Sequence, residues 1–416
     1  MHLTDTEKKM AAGGYGTGVA RCMEILVKFG EAFEAEKMVK IASAHIMPLG
    51  PPQLLEEMTQ GVKEPAVLTT IHPYMSAFDP FCHKEMGIPE AFADQELSEC
   101  RQRMEVYRHL GFYQTYTCLP MLVGNLPRKG QFVSWVGSSA QLIVNSLIGA
   151  RCNRDAVVAL ASAITGRTPY RGLLLDENRY ANVLVRFSDV DPARLSATQL
   201  SAVGYFLGEK VGNRNVVIEG MPENTPIEQL KTLIAPLAVT GAVGICHMVG
   251  LSPEAPTLDA ALGYRKPEDE ISVGKKEIED CLAQYAGTSD SVDMVLFGCP
   301  HCTVSDIKRL AVELMDKKID DQKRLWIGMP HQQYVLAKKM GYTQCLEKAG
   351  AVISNACMAM VPAMPIPEGV RHLATSSFKA AHYISKLTAG KVDVQIQSMK
   401  TCIEAITGHQ RKGKVQ

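Results

Sequence analysis

Three cysteines in this sequence stand beside residues that form turns, where a metal site could be built. Cys118 lies next to a Leu-Pro pair, Cys299 precedes Pro300, and Cys357 follows Asn355 by two residues. Thiolates from distant loops can hold an iron–sulfur cluster, and a cluster with three cysteine ligands leaves one iron open to substrate. Such an iron is a Lewis acid that helps hydroxide leave a C–OH group. The long separations match no local metal motif, so the residues alone make this site a hypothesis.

Two other interpretations of the cysteines stay open at this point. The chain has 12 cysteines, which are scattered singly, and most are expected to be reduced and to pack as small hydrophobic side chains. Cys299 and Cys302 also form a Cys-Pro-His-Cys tetrad, which resembles the Cys-x-x-Cys of thioredoxin-like proteins. A thiol-redox protein using these two residues is therefore the alternative chemistry.

Polar residues and turn residues are concentrated between residues 111 and 179. Asn125 follows a glycine turn, and Ser138 and Ser139 open an apolar helical run. The glycines and prolines of this stretch break helices and permit tight turns, so we expect several short turns that meet at one place. Such turns favour a polar pocket.

Further candidate side chains follow predicted strands or open a predicted helix. His72 and His247 lie at or just after apolar β-branched runs, and ligands bind outside the carboxyl ends of parallel strands. Each histidine has a structural alternative as a capped surface or hydrogen-bonded core imidazole. Ser377 and Lys379 open a helix, where backbone N–H groups and an ammonium can hold an anion. A capping serine beside a surface lysine is the simpler interpretation of that pair.

The elements that must position these residues alternate between strand and helix. A helical segment is expected over about residues 1–62, and beyond it apolar runs such as VDMVLF and RLWIG alternate with amphipathic helical runs. This alternation predicts an α/β fold of parallel sheets covered by helices. We expect α/β subdomains over about residues 63–215 and 216–408, and a tail over 409–416.

Composition limits the classes of partner. The chain has 416 residues, with 44 basic and 44 acidic side chains and a formal net charge of zero. It has no basic stripe, which removes the electrostatic argument for nucleic acid or an anionic membrane. No apolar run is long enough to cross a bilayer, and acids and lysines stand where a signal peptide would have an apolar core. We therefore expect a cytoplasmic protein.

Motifs along the whole chain resemble those of the aconitase X family. They occur in family order from about residue 1 to residue 410, and include LTDTEKKMAAGGYG, TCLPMLVGNLPRKG, NSLIGARCNRD, AITGRTPYRG, LDENR, HMVGLSPEA, GCPH, NACM and CIEAITG. The sequence resembles the large subunit of this family, which includes mevalonate 5-phosphate dehydratase and cis-3-hydroxy-L-proline dehydratase.

The resemblance implies a fold, a reaction and a partner. The fold would be that of the first three domains of aconitase, without the swivelling fourth domain. The reaction would be that of a hydro-lyase, which removes water from a small hydroxy acid with an iron–sulfur cluster or mononuclear iron held by Cys118, Cys299 and Cys357. Only HQRKGKVQ follows the last motif, so a small swivel-domain subunit that supplies a serine base is expected as partner in a heterodimer.

The resemblance also implies roles for the polar residues. The catalytic group around the open iron would consist of Asn125, Ser138, Ser139, His247 and Lys379. The substrate-binding group would consist of Arg167, Ser377 and His72. A guanidinium can bind two oxygens of a carboxylate or phosphate at once, which suits Arg167, although a salt bridge to Asp176 or Glu177 is its structural alternative.

The sequence departs from the family pattern at several positions. Family members usually have an acid where this chain has Gly14 and Gly137, and an asparagine where it has His72. The loss of two acids changes the groups that can carry protons and the shape of the pocket. The substrate can therefore differ from both family substrates, and a non-catalytic homologue is a further alternative.

Overall fold

The structure is a computed structural model that describes residues 1–48, 50–74, 82–88, 90–359 and 367–407. The predicted tail over 409–416 lies outside the described residues. None of the helices within these ranges is both long and apolar enough to cross a membrane.

The first part of the chain builds a helical layer and a parallel sheet of four strands. Its helices are α1 (Asp5–Ala11), α2 (Thr17–Ala32), α3 (Pro52–Thr59), α4 (Glu90–His109), α5 (Ser138–Ile143) and α6 (Ala159–Thr165). Its strands are β1 (Met38–Lys40), β2 (Ser43–Ile46), β3 (Leu68–Ile71), β4 (Phe132–Trp135), β5 (Arg151–Cys152) and β6 (Arg167–Pro169). The sheet has the order β3-β2-β4-β5 with every pair parallel, while β1 and β6 form a separate antiparallel ribbon.

The second part builds another parallel sheet, in the order β10-β7-β8-β9. Its elements are β7 (Val183–Phe187), α7 (Ala197–Val211), β8 (Val216–Ile218), α8 (Ile227–Thr240), β9 (Cys246–Met248), α9 (Leu258–Leu262), β10 (Asp269–Val273) and α10 (Lys275–Ala283). Helices α7 and α8 cross closely at Gly204, where an added Cβ would lie 1.9 Å from the carbonyl oxygen of Leu233. Only glycine allows this approach.

The third part builds a parallel sheet of five strands, in the order β13-β12-β11-β14-β15. Its elements are β11 (Met294–Phe297), α11 (Val304–Glu313), β12 (Arg324–Gly328), α12 (His331–Lys339), α13 (Tyr342–Ala349), β13 (Val352–Ser354), β14 (His372–Thr375), α14 (Phe378–Leu387), β15 (Asp393–Ile396) and α15 (Met399–Ile406). Strand β11 is buried along its length, as expected for a parallel strand that is covered on both faces.

The prediction of parallel α/β sheets is confirmed. One apolar core connects the three sheets, because Trp135, Leu233 and Phe378 belong to the same cluster of buried side chains. The predicted boundary near residue 62 lies between β2 and β3, and the one near residue 215 lies between β7 and β8; both are pairs of neighbouring strands. The division into subdomains stays a prediction.

Candidate active site

The structure brings three cysteines from distant loops into one neighbourhood. Cys118 and Cys299 are buried, and Cys357 is partly exposed. Burial raises the pKa of Cys118, and it raises that of Cys299 to about 12. The Lys379 ammonium works against this rise at both thiols, whereas the neighbouring thiols add to it. The predicted metal ligands are therefore electrostatic neighbours of one another and of a single ammonium group.

His301 contacts the loop of each of these cysteines. It follows Cys299 by two residues, its backbone N–H donates to Cys118 Sγ at 3.1 Å, and its Nε2 lies 3.0 Å from the carbonyl oxygen of Ala356, which precedes Cys357. Burial lowers the pKa of His301 to about 4, so the ring is neutral and donates from Nε2. In the sequence, the one signal of this role is the place of His301 within the Cys-Pro-His-Cys tetrad.

A buried ion pair between Lys231 and Asp306 contacts the loop that contains Cys299 and His301. Lys231 Nζ donates to the carbonyl oxygen of His301 at 2.9 Å and to Asp306 Oδ2 at 2.5 Å. Burial alone would raise the pKa of Asp306, but the charge and hydrogen bond of Lys231, the Thr303 N–H and the Arg309 charge together outweigh it and lower that pKa to about 2. Because Lys231 lies on α8 and Asp306 on α11, the pair also joins the second sheet to the third.

Lys379 joins two of the predicted serines to the cysteine neighbourhood. Its Nζ donates to Ser138 Oγ at 3.0 Å and to Ser139 Oγ at 2.9 Å. Lys379 is 8% exposed, so it is not the surface lysine of the simpler interpretation. Ser377 does cap α14, and its hydroxyl also donates to the carbonyl oxygen of Cys299.

His72 lies next to the same group. Its ring stands against Gly137, where an added Cβ would lie 2.7 Å from Cδ2 and 2.8 Å from Nε2 of the imidazole. Burial lowers the pKa of His72 well below its usual range, and the charges of His45 and Lys379 lower it further. The ring is therefore neutral and borders the serine that follows Gly137.

Two of the predicted catalytic residues make their hydrogen bonds elsewhere. Asn125 donates from Nδ2 to the carbonyl oxygen of Ala44 at 3.0 Å and to Thr70 Oγ1 at 2.9 Å. Its amide thus ties a loop to β2 and β3. His247 Nε2 lies 2.8 Å from the carbonyl oxygen of Arg179, as expected of a hydrogen-bonded core histidine. Among the described residues, neither has a hydrogen bond to the cysteines, the paired serines or Lys379.

Arg167 also lies away from this group. Its Nε donates to Glu7 Oε1 at 2.9 Å, and both side chains are largely buried. Glu7 is an N-terminal residue that closes the capping box of α1, so the guanidinium anchors the N-terminal helix. Among the described residues, neither Asp176 nor Glu177 forms the salt bridge to Arg167 that local spacing suggested. Asp176 contacts Arg151 instead.

Arg154 is a further cation near this group, and no sequence motif indicated its role. It follows β5, at the same edge of the first sheet as His72 and Ser138. Solvent reaches the side chain, yet surrounding protein lowers its pKa, a combination expected on the wall of a cleft. Its electrostatic neighbour Tyr383 lies four residues after Lys379 on α14, and residues at this spacing share a helix face. Arg154 makes no hydrogen bond or ion pair with any residue for which the structure gives a position.

The three thiols are donors of the kind that hold an iron–sulfur cluster. No three His, Cys, Asp or Glu side chains within the described ranges surround a point where one metal ion could bind. A cluster does not need such a point, because each thiolate binds a different iron atom. The His301 N–H directed at Cys118 Sγ is also the kind of contact that tunes cluster sulfurs.

The thiol-redox alternative lacks a reactive cysteine. Burial raises the pKa of both Cys299 and Cys302 to about 12, whereas redox-active cysteines have lowered pKa values. The two thiols are not joined in a disulfide.

Models of a known protein family match nearly the whole chain. The aconitase X first-domain model matches residues 1–177, the second-domain model 181–283 and the third-domain model 292–408. Each match contains one of the three parallel sheets.

Similar proteins and a similar structure are known. The phosphomevalonate dehydratase large subunit of Methanocaldococcus jannaschii is 32% identical over 404 residues, which cover 94% of this chain and 97% of that protein. The cis-3-hydroxy-L-proline dehydratase of Pseudomonas aeruginosa is 28% identical over 414 residues, which cover 97% of this chain and 69% of that protein. A crystal structure of Thermococcus kodakaraensis aconitase X in its holo form aligns with a TM-score of 0.83 at 28% identity, covering 98% of this chain and 100% of that one.

Proposed function

The chain belongs to the aconitase X family, and from this premise we propose that it is the large subunit of a hydro-lyase that removes water from a small hydroxy acid. One observation carries the proposal: the buried Lys379 ammonium holds Ser138 and Ser139 at the edge of three neighbouring thiols. The similar proteins are named dehydratases, which are hydro-lyases.

An iron–sulfur cluster is the proposed cofactor, held by Cys118, Cys299 and Cys357. With three cysteine ligands, such a cluster supplies a Lewis acid at its open iron. The ligands must be thiolates, and the Lys379 ammonium favours the ionised form of Cys118 and Cys299. His301 keeps the three loops in register through its contacts with Cys118 Sγ and the Ala356 carbonyl oxygen.

The substrate is proposed to carry two anionic groups. Lys379 and its two serines offer hydrogen-bond donors for a carboxylate, and Arg154 offers a second, unpaired cation at the same sheet edge. A guanidinium binds phosphate through two parallel hydrogen bonds. Phosphomevalonate has both a carboxylate and a phosphate, whereas cis-3-hydroxy-L-proline has one carboxylate. We therefore favour a phosphorylated hydroxy acid.

A small subunit is the proposed partner. The relatives that this chain matches over nearly their full length are named large subunits. The matched cis-3-hydroxy-L-proline dehydratases are longer proteins, of which this chain spans 69% and 68%. The partner would supply the base that removes the proton next to the carboxylate, since Ser138 and Ser139 accept hydrogen bonds from an ammonium and are poorly placed to take up a proton.

Anaerobic reconstitution tests the proposal. The chain is purified without oxygen, alone and coexpressed with the small subunit of its own genome, and loaded with iron and sulfide. Loss of water from phosphomevalonate and from cis-3-hydroxy-L-proline is then followed by mass spectrometry. We expect dehydration of the phosphorylated acid by the complex only. Dehydration of hydroxyproline alone would contradict the proposed substrate class.

Cysteine variants test the cofactor in the same preparation. Cys118→Ser, Cys299→Ser and Cys357→Ser should each lower the iron content, because each removes one proposed ligand. Cys345→Ser is the matched control, since Cys345 lies on α13 and contacts the carbonyl oxygen of Ala311. If the wild-type complex bound no iron and dehydrated neither acid, the chain would be a non-catalytic homologue.

A further inference from the structure

His72 occupies the space that a side chain at position 137 would need. A Cβ on Gly137 would come within 2.7 Å of the imidazole, closer than carbon atoms approach without bonding. The His72 ring is buried and follows β3 directly, so it has little room to move. Gly137 also has φ of +85°, a conformation that favours glycine. Position 137 must therefore be glycine while His72 keeps this place.

The hydrogen bond at Nδ1 of His72 determines whether its Nε2 atom is a donor or an acceptor. Nδ1 lies 3.3 Å from the carbonyl oxygen of Pro73, which can only accept, so Nδ1 carries the proton and Nε2 keeps its lone pair. In the described part of the chain no group donates to Nε2, and Nε2 is not among the fully buried polar atoms that lack a partner. Nε2 is therefore a neutral hydrogen-bond acceptor that keeps a small exposed surface.

This acceptor lies beside a group of donors. Gly137 directly precedes Ser138, whose hydroxyl takes a hydrogen bond from Lys379. A ligand that contacts both His72 and Lys379 needs an anionic oxygen to accept from Lys379 and a hydroxyl hydrogen to donate to His72. Hydroxy acids have both groups.

We propose that His72 Nε2 accepts a hydrogen bond from a hydroxyl group of the substrate, and that the pair His72 and Gly137 selects hydroxy acids over acids that lack the hydroxyl. The inference rests on the proposed function, because it assumes that the hydroxy acid binds beside Lys379. No proton is transferred in this contact. His72 orients the hydroxyl group, and its hydrogen bond replaces the one that the hydroxyl loses to water on binding. Gly137 provides the space for the ring.

Kinetic measurements on the iron-loaded complex test this role. Steady-state kinetics compares the KM for phosphomevalonate with the inhibition constant of the same acid lacking its hydroxyl group, for the wild type, His72→Ala, Gly137→Ala and the double variant. The preference for the hydroxylated acid should fall about fivefold in His72→Ala, which corresponds to one net hydrogen bond. Gly137→Ala should lose the same preference because its Cβ displaces the ring, and the double variant should lose no more than either single one. His109→Ala, on the exposed end of α4, is the control.

The outcomes separate this inference from the proposed function. If His72→Ala kept the full preference, or if the two substitutions had independent effects, the inference would be overturned while the dehydratase proposal stood. If the wild-type complex bound neither acid, the proposed function would fail and the inference with it. Thermal unfolding provides a check that needs no ligand: Gly137→Ala should lower the melting temperature, and adding His72→Ala should restore part of it.

Discussion

Replacing Lys231 by methionine tests whether the buried ion pair holds the loop of Cys299 and His301. The substitution keeps most of the volume of the side chain but removes the charge that Asp306 and the His301 carbonyl share. Removing one partner of a buried pair costs about 3 to 5 kcal/mol. Arg309 still contacts the other oxygen of Asp306, from a side chain that is 52% exposed. We therefore expect the free energy of unfolding to fall by about 3 kcal/mol, at the low end of this range.

The pH dependence gives an independent measure of the same pair. The pKa of Asp306 is about 2 in the folded chain, below its ordinary value of 3.8, so ionised Asp306 stabilises the fold above about pH 4. This stabilisation is lost as the pH falls from about 4 to about 2, and a difference of about two units corresponds to about 2 to 3 kcal/mol. In Lys231→Met this acid-dependent loss should become smaller, because burial still raises the pKa of Asp306 while only Arg309 and the Thr303 N–H remain to lower it.

Urea unfolding between pH 2 and pH 7, with iron analysis of the reconstituted chain, measures both effects. Asp306→Asn isolates the titration of this one carboxylate. Lys276→Met is the control for the removal of a lysine, because Lys276 pairs with Asp280 on the exposed face of α10. The stability and the iron content of Lys231→Met should both fall below those of the control. Equal stability of the two lysine variants at pH 7, with the same acid profile, would refute the reasoning.

Three further predictions concern the site and the helix packing. His301→Ala should lower the iron bound per chain and shift the reduction potential of the residual cluster, because its contacts reach all three ligand loops; wild-type iron content with an unshifted potential would contradict this. Arg154→Gln should raise KM for phosphomevalonate at least ~10-fold, the contribution of a charged hydrogen bond, with kcat unchanged; the exposed Arg128→Gln is the control in the same kinetic assay. Gly204→Ala should destabilise the fold by about 3 kcal/mol, since its methyl group would overlap the Leu233 carbonyl oxygen; chemical unfolding that shows no loss would refute the close crossing.

Local patterns in the sequence were enough to predict the class of fold. Apolar β-branched runs that alternate with amphipathic helices indicate parallel sheets, because side-chain periodicity reflects which face of each element is buried. The three sheets confirm that prediction. Motif order along the chain was likewise enough to recognise the family, which the three domain matches confirm. The roles of the candidate site residues stay predictions.

Only the tertiary structure decided which polar side chains meet. Lys379 and Ser139 form a hydrogen bond across 240 residues of sequence, and Arg167 and Glu7 across 160. Local spacing suggested the nearby Asp176 and Glu177 as partners of Arg167. It could not indicate Glu7, which is distant in sequence.

The physical reason is the range of the forces involved. Periodicity and turn residues act within a few positions, so the sequence by itself determines elements and their buried faces. A buried charge takes whichever partner the packed sheets bring within hydrogen-bond distance. The contact of His72 with Gly137, and the bridge that His301 makes between three loops, exist only because the ends of distant strands come together in the folded chain.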